Sequence, residues 1–514
     1  MVSEMGVGRV VLNTARRQVQ AAILLYLLIF AGLNIYVWAY YAAHQHVVHE
    51  FPLGPRMERF GDLLNFTGKH QIGRDSRLTD SDHLLGTLFP RNYPPFAVAI
   101  YLFLLQICAP YAIFALLAPV FAAIAAACVL LRRRACPFKA YRWYVGAAIF
   151  ATGLFGWGTL QVAMRGNIEG LIWVGVCIGA ALFARRQYTR AAVAFAFTCC
   201  IKPYPVLWFA LLARHRRYRE ALIGLATVVM VTFGSLFVID RNPLRAYRYI
   251  TVSGNEFFVR YIAAFRGVLE MRGDHSLLQT MKMMVRIARS HGFPLSLWDY
   301  DNHYNVPLAL TIYKVYMPLS IVIGLIAVWR VWNKPVLNQI FALACITMVL
   351  PPIAGDYTLI LILVPMGFFL IFLLQDVAED RTRLPMGNIL WFLLPCAWIT
   401  ATEPQWILHG VFKCIALLVL LVASVTIALP STVFGEIGDS TDRSAMESSA
   451  RGTPLTRSEN EIAHAHGPRV GTDGGRSKRS GNACFHAWHK LVSLRVVWRK
   501  RRPRHLSRVD DSRS

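Results

Sequence analysis

The chain has 514 residues, 55% of them hydrophobic and 16% charged, with a mean hydropathy of +0.42. Soluble domains carry about 25% charged residues, so the composition excludes an ordinary soluble protein, and the period-2 alternation of an outer-membrane barrel is absent. The formal charge of +25 falls in short clusters between apolar runs, as the positive-inside rule expects, which points to membrane lipids and not to nucleic acid.

Apolar runs near 20 residues recur from residue 21 to 430, each long enough to cross a hydrocarbon core of ~30 Å. They predict an all-α polytopic membrane protein, a bundle of about 11 to 12 transmembrane or re-entrant helices with two long extracytoplasmic loops. Residues 1–20 carry Arg9, Arg16 and Arg17, which predicts a cytoplasmic N-terminus. The span 21–41 then leads outward; it is too long for a signal-peptide core and lacks a small-residue cleavage site. Next comes a polar loop, 42–95, holding Arg56, Glu58, Arg59, Asp62, Lys69, Asp80 and Asp82 and closing with Arg91-Asn-Tyr-Pro-Pro95.

A basic cluster of Arg132, Arg133, Arg134, Lys139 and Arg142 marks the return to the inner side. One crossing near 111–131 satisfies the parity, and 96–109, cut by Pro110, is expected as a short helix at the outer interface. Segments 144–161 and 168–184 form a hairpin with Arg165-Gly-Asn167 at its outer turn. Arg185, Arg186 and Arg190 lie inside, as do Arg214, Arg216, Arg217 and Arg219. The stretch 191–213 between them is too short for two crossings, which need ~40 residues. It is either a re-entrant hairpin or a pair of short broken helices, tipped by Ile201-Lys-Pro-Tyr-Pro205.

A span at 220–238 leads to a second outer loop, 240–306, and spans at 307–330, 337–353, 358–376, 387–402 and 408–430 follow. Both termini then lie inside. The segment 431–514, with sixteen Lys/Arg against nine Asp/Glu, reads as a disordered basic cytoplasmic tail able to touch anionic lipid. None of the ten cysteines lies in the long polar loops and no Cys-x-x-Cys occurs, so neither a disulfide framework nor a zinc site is indicated.

Ionisable groups at membrane depth are functional candidates by default. Lys202 is the sharpest: about 11 helical residues lift it ~16 Å from the inner surface. Its ammonium needs a phosphate-bearing ligand or a carboxylate such as Glu169, unless a shallower hairpin lets it snorkel. Arg165 and the amides beyond Gly166 suit an anion, or form an ordinary turn. Asp62, beside Leu63, Leu64 and Phe66, is placed to accept a proton from a hydroxyl; a helix cap or a salt bridge with Arg56 or Arg59 is the alternative. Asp80-Ser-Asp82 is a weak site for a divalent cation and a substrate phosphate, or simply a solvated loop.

Taken together, Phe60-Gly-Asp62 after a first span, Tyr93-Pro-Pro95 opening a hydrophobic helix, Arg165-Gly-Asn-Ile-Glu169 and Ile201-Lys-Pro-Tyr-Pro205 resemble glycosyltransferase family 87 in order and spacing. So do Asp274-His-Ser-Leu277 and Pro351-Pro-Ile-Ala-Gly-Asp-Tyr357, with Asp356 where the family usually has a His. The resemblance covers residues 20–430 and leaves the tail out. It implies a GT-C fold in the plasma (inner) membrane and inverting transfer of a sugar, mannose, from a polyprenyl-phosphate donor. The acceptor would be a lipid or glycan on the extracytoplasmic face of the cell envelope. Asp62 matches the family's catalytic Asp and would be the general base. Arg165, Asn167, Lys202, Tyr204 and Tyr93 would meet the donor, with Asp356, Tyr357 and His275 on the acceptor side. No metal or other cofactor is called for, with Asp80 and Asp82 only weak candidates for a divalent cation. The competing class, a secondary transporter or flippase for a lipid-linked sugar, would place its ionisable groups on mid-span helices of both halves. Here they gather at outer ends and in the 42–95 loop.

Overall fold

The computed structural model describes residues 2–43, 93–107, 111–133, 139–263, 273–289, 306–378, 384–401 and 408–429, all within one compact unit, Met1–Ala450. Asp62, Asp80, Asp82, nearly all of the 42–95 loop, part of the 240–306 loop and the 431–514 tail lie outside the described residues. Apart from one antiparallel bridge between Asp274 and Gly355, the regular structure of the described residues is helical. Six helices are long and apolar enough to cross a membrane, and seven shorter apolar helices accompany them. The protein is an all-α polytopic membrane protein.

In chain order the helices are α1 (Val2–Ala43), α2 (Pro95–Ile107), α3 (Ala112–Arg133), α4 (Lys139–Phe155), α5 (Trp157–Arg165), α6 (Glu169–Ala184), α7 (Tyr188–Ile201) and α8 (Phe209–Arg214). There follow α9 (Tyr218–Ile239), α10 (Pro243–Phe257), α11 (Leu277–Arg289), α12 (Val306–Val331), α13 (Val336–Val349), α14 (Leu363–Ala378), α15 (Met386–Thr400) and α16 (His409–Thr426). Among the described residues three irregular turns of helix interrupt the series: 3₁₀ at Tyr204–Trp208, π at Phe258–Ile262 and 3₁₀ at Asp356–Ile362.

Local chemistry explains where helices begin and stop. No proline or cap interrupts residues 2–43, so α1 runs unbroken from the basic N-terminal segment into the first apolar span. The expected 144–161 span is bent: Gly156 takes an extended conformation between α4 and α5. The expected helix from 358 starts instead as a tight 3₁₀ turn at Asp356 and becomes α-helical only at Leu363. The 191–213 stretch is a broken pair, α7 and α8, with the prolines at the break. Amphipathic α10 and α11 occupy parts of the expected second outer loop.

Two of the turns between helices share one solution. Arg186 (φ 59°) and Arg216 (φ 58°) sit in the left-handed region, a position that usually goes to Gly. The flanking amides close each helix end: Gln187 donates to the Leu182 carbonyl and Arg217 to that of Leu212, both at 2.9 Å. The turns touch through the Arg217 guanidinium, 4.5 Å from the centroid of the Tyr188 ring.

Helix α13 is apolar on all sides and buried from Leu337 to Val349, as expected of a helix at the centre of a bundle. Its Phe341 interlocks with Phe369 and Phe392 of the neighbouring helices, with ring centroids 4.9–5.9 Å apart. By contrast α9 turns Leu222, Val229, Met230, Phe233 and Phe237 outward, an apolar face suited to lipid. Small residues let helices approach: a Cβ on Gly175 would lie 2.4 Å from Thr198, and one on Gly179 2.4 Å from Phe195. One such contact, made to backbone, positions the site. A Cβ on Gly158 would fall 2.4 Å from the backbone nitrogen of Ile360, so α5 lies directly against the 3₁₀ turn.

Backbone cannot yield as a flexible side chain does. Gly158→Ala should therefore cost about 1–3 kcal/mol, read as a lowered thermal midpoint in detergent. Gly146→Ala and Gly367→Ala, whose Cβ atoms would meet nothing within 4 Å, should be neutral or slightly stabilising; equal losses at all three positions would refute the close approach.

Candidate active site

The site is built around the place where α7 ends. Residue 203 is proline, which disfavours helical geometry for the residue before it, and Lys202 accordingly leaves the helix in an extended conformation (φ −145°, ψ 147°). Its amide still closes the last turn on the Thr198 carbonyl at 3.1 Å. The side chain is thereby thrown off the helix axis, and Pro203 and Pro205 carry the chain into a 3₁₀ turn that brings Tyr204 back beside it.

Four parts of the chain converge on this ammonium. The Lys202 Nζ lies 2.7 Å from Glu169 Oε2, with the Glu169 side chain fully buried and that of Lys202 15% exposed. Three tyrosine rings surround it: Tyr357 at 4.6 Å, Tyr93 at 5.9 Å and Tyr204 at 6.0 Å from Nζ to ring centroid. Ring faces carry negative potential and attract a cation at these distances. The Glu169 Oε1 and the Tyr204 hydroxyl are buried without a hydrogen-bond partner among the described residues. A box that holds a cation yet leaves polar atoms unsatisfied is suited to a polar guest.

The turn that delivers Glu169 is defined by hydrogen bonds. Gly166 ends α5 in the left-handed conformation (φ 60°), where a Cβ would be strained. The Tyr101 hydroxyl donates to the Gly166 carbonyl at 3.3 Å and accepts from the Ile168 amide at 3.0 Å. Asn167, fully buried, accepts the Glu169 amide on its Oδ1 at 2.8 Å. The amides of Ile168 and Glu169 are thus taken by protein groups, and Arg165 stands exposed at the end of α5. Tyr101 also meets Tyr93 edge-on, with centroids 5.5 Å apart.

A second cluster stands behind Tyr357. The Asp356 carboxylate, almost wholly buried, accepts the Trp157 indole N–H on Oδ2 at 2.8 Å. Its Oδ1 faces His275 Nδ1 at 3.5 Å and Lys413 Nζ at 3.7 Å, both from fully buried side chains. The other His275 nitrogen lies 3.1 Å from Thr358 Oγ1. His275 arrives by a chain pairing: its amide donates to the Ala354 carbonyl, and the Asp356 amide donates to that of Gly273. Asp274 Oδ1 accepts the amides of Ser276 and Ala354, and Ser276 Oγ accepts that of Gln279, capping α11.

Lys202, Tyr93 and Tyr204 therefore share one site with Tyr357, while Asn167 braces its counter-ion and Asp356 and His275 lie behind it. Sequence reasoning did not single out Trp157, Tyr101 or Lys413. For Lys413 the signal was present, since it is the one charged residue of an otherwise apolar run from 409 to 426. Tyr101 and Trp157 had no such mark: aromatic residues in apolar runs read as core. No group of three or more His, Cys, Asp or Glu arranged for a metal ion occurs among the described residues.

The family model for glycosyltransferase family 87 matches residues 92–352, half of the chain. That segment contains Tyr93, Arg165, Asn167, Glu169, Lys202, Tyr204 and His275, while Asp62 precedes it and Asp356, Tyr357 and Lys413 follow it. No curated protein and no solved structure matches the chain.

Removing the Glu169 carboxylate while keeping Lys202 strands a charge. Glu169→Leu should destabilise the protein by about 3 kcal/mol, and Glu169→Leu with Lys202→Met should recover most of that loss. Thermal unfolding of the wild type and the two variants checks this; a double variant no better than the single one would show that the pair is not what the fold depends on here.

Proposed function

The chain belongs to glycosyltransferase family 87 and is a membrane glycosyltransferase, and we propose on that footing that it moves one sugar, mannose, from a polyprenyl-phosphate donor to a lipid or glycan acceptor. The transfer takes place on the extracytoplasmic face of the plasma membrane, within a GT-C-like bundle. The observation that carries this reading is the Lys202 ammonium in its box of three tyrosines, with Glu169 as resident counter-ion.

In this mechanism the donor phosphate approaches Lys202, and Arg165 adds a second positive charge from the exposed end of α5. Tyr93 and Tyr204 offer ring edges and hydroxyls to the phosphate and sugar, and Asn167 acts through the Glu169 amide that it holds. An acceptor hydroxyl attacks the anomeric carbon from the face opposite the phosphate. Its oxygen forms the new bond as the bond to the phosphate oxygen breaks, which inverts the centre. The electron pair departs with the polyprenyl phosphate, whose growing charge is offset by Lys202 and Arg165. The hydroxyl proton passes to Asp62 as general base.

The acceptor is assigned to the wall made by His275, Asp356 and Tyr357. Tyr357 is the member of that wall that is not buried, so it makes the contact, with the other two behind it. Asp80 and Asp82 are the residues that would hold a divalent cation, which would supply further charge neutralisation at the phosphate.

Membranes supplied with radiolabelled polyprenyl-phosphate mannose should transfer label to a lipid or glycan fraction. Lys202→Met should raise the donor KM by at least about tenfold, from loss of one charge-assisted phosphate contact. Asp62→Asn should abolish transfer while retaining donor binding, and truncation after Pro430 should leave activity in place. Donor affinity unchanged in Lys202→Met would overturn the phosphate assignment. Near-normal turnover in Asp62→Asn would remove it as the base, and a folded but inactive truncation would show that the tail takes part.

A further inference from the structure

Lys413 belongs to α16, outside the residues matched by the family model. It is fully buried, and its ammonium lies 3.7 Å from Asp356 Oδ1 and 5.5 Å from the centroid of the Trp157 ring. At 3.7 Å the attraction to Asp356 is Coulombic, beyond hydrogen-bond length. A lysine with no exposure is costly to hold unless its charge is matched. Asp356 matches it, and three further contacts restrain that residue: the Trp157 indole on Oδ2, His275 on Oδ1, and the Asp356 backbone amide donating to the Gly273 carbonyl.

The next residue is Tyr357. Its ring packs onto the residue two places before it: a Cβ on Gly355 would come within 2.7–2.9 Å of ring carbons. Of the three tyrosines it is also the one closest to the Lys202 ammonium. Between a fixed Asp356 and a close-packed Gly355, little freedom is left for the ring except to lie over Lys202. If Asp356 shifts, the ring that closes the box shifts with it.

We propose that Lys413 is a positioning residue for the donor pocket: through its ion pair with Asp356 it fixes the start of the 3₁₀ turn and so holds Tyr357 over the Lys202 ammonium. This deepens the proposed function and rests on it only for the identity of the guest; the arrangement of Tyr357 can be read without any donor. A substitution at Lys413 then acts on donor affinity through Tyr357, and the two residues do not contribute independently. Lys413→Met leaves Asp356 buried without its cation, whereas removal of both charges lets the turn regain its position, because an apolar residue beside an amide that still accepts from Trp157 is tolerated.

The test has two arms. Incorporation of 3-fluorotyrosine gives a fluorine resonance for Tyr357, identified by its loss in Tyr357→Phe. It should shift in Lys202→Met, shift again in Lys413→Met, and return toward the wild-type position in Asp356→Asn with Lys413→Met and in Lys413→Arg. In the second arm, with polyprenyl-phosphate mannose as donor, Lys413→Met should raise KM about tenfold with kcat within about twofold. The combination with Tyr357→Ala should be no worse than the poorer single variant. A Tyr357 resonance that does not move in Lys413→Met overturns the proposal, as do losses that multiply in the combined variant. Wild-type protein that transfers nothing from this donor refutes the functional reading alone, since the fluorine arm still decides the role of Lys413.

Discussion

Lys202 stands where a helix is forced to stop, and its ammonium cannot be left unmatched in an apolar bundle. Moving such an ion out of water carries an effective penalty of several kcal/mol, which is recovered only if opposite charge and well-oriented dipoles meet it. The fold answers with one carboxylate at 2.7 Å and three ring faces within 6.0 Å. Each comes from a different part of the chain: the entrance to α2, the turn before α6, the proline-broken tip after α7, and the 3₁₀ turn before α14. Holding these four together is the task that the surrounding packing performs.

The irregular geometry follows from that task. Proline ends α7 to project Lys202, left-handed Gly166 turns the chain so that Glu169 enters buried, and Gly158 lets α5 press against the 3₁₀ turn that carries Tyr357. Backbone that departs from α-helix at membrane depth is tolerated where it is buried in protein or lines a cavity. The end of α7, the Gly166 turn and the 3₁₀ turn at Asp356 are such departures at the site, while α9 and α12, which present apolar side chains outward, run as uninterrupted helices. Behind the box, Asp356 and Lys413 repeat the same physics on a smaller scale: a buried charge matched by a buried charge, with an indole N–H to steady it.

Hydropathy and basic clusters made the helical membrane class legible, because length and charge placement suffice for it. Lys202 was legible too, since a lysine followed by Pro-Tyr-Pro in a stretch too short for two crossings is a conflict visible in the letters alone. Its partner Glu169 was nameable for the same reason. Less legible was the convergence. Tyr93, Tyr204 and Tyr357 were separate motif residues, and nothing in their spacing says that one ammonium gathers all three. The cluster around Asp356 depends on contacts between residues far apart in the chain, such as Trp157 with Asp356, 199 positions on, which periodicity does not encode. The bend at Gly156 and the 3₁₀ start of the last-but-two apolar helix were likewise set by tertiary packing, where glycine and close backbone approach override an apolar run that reads as plain helix.

The central claim is that the Lys202 box receives the phosphate of a lipid-linked sugar. An experimentally determined structure of the full chain in a lipid nanodisc with a polyprenyl-phosphate sugar bound tests it most directly. The account predicts the donor phosphate within about 3 Å of Lys202 Nζ, the length of a charge-assisted hydrogen bond, with Tyr93, Tyr204 and Tyr357 around it. A phosphate bound elsewhere, with Lys202 still paired only to Glu169, would contradict it.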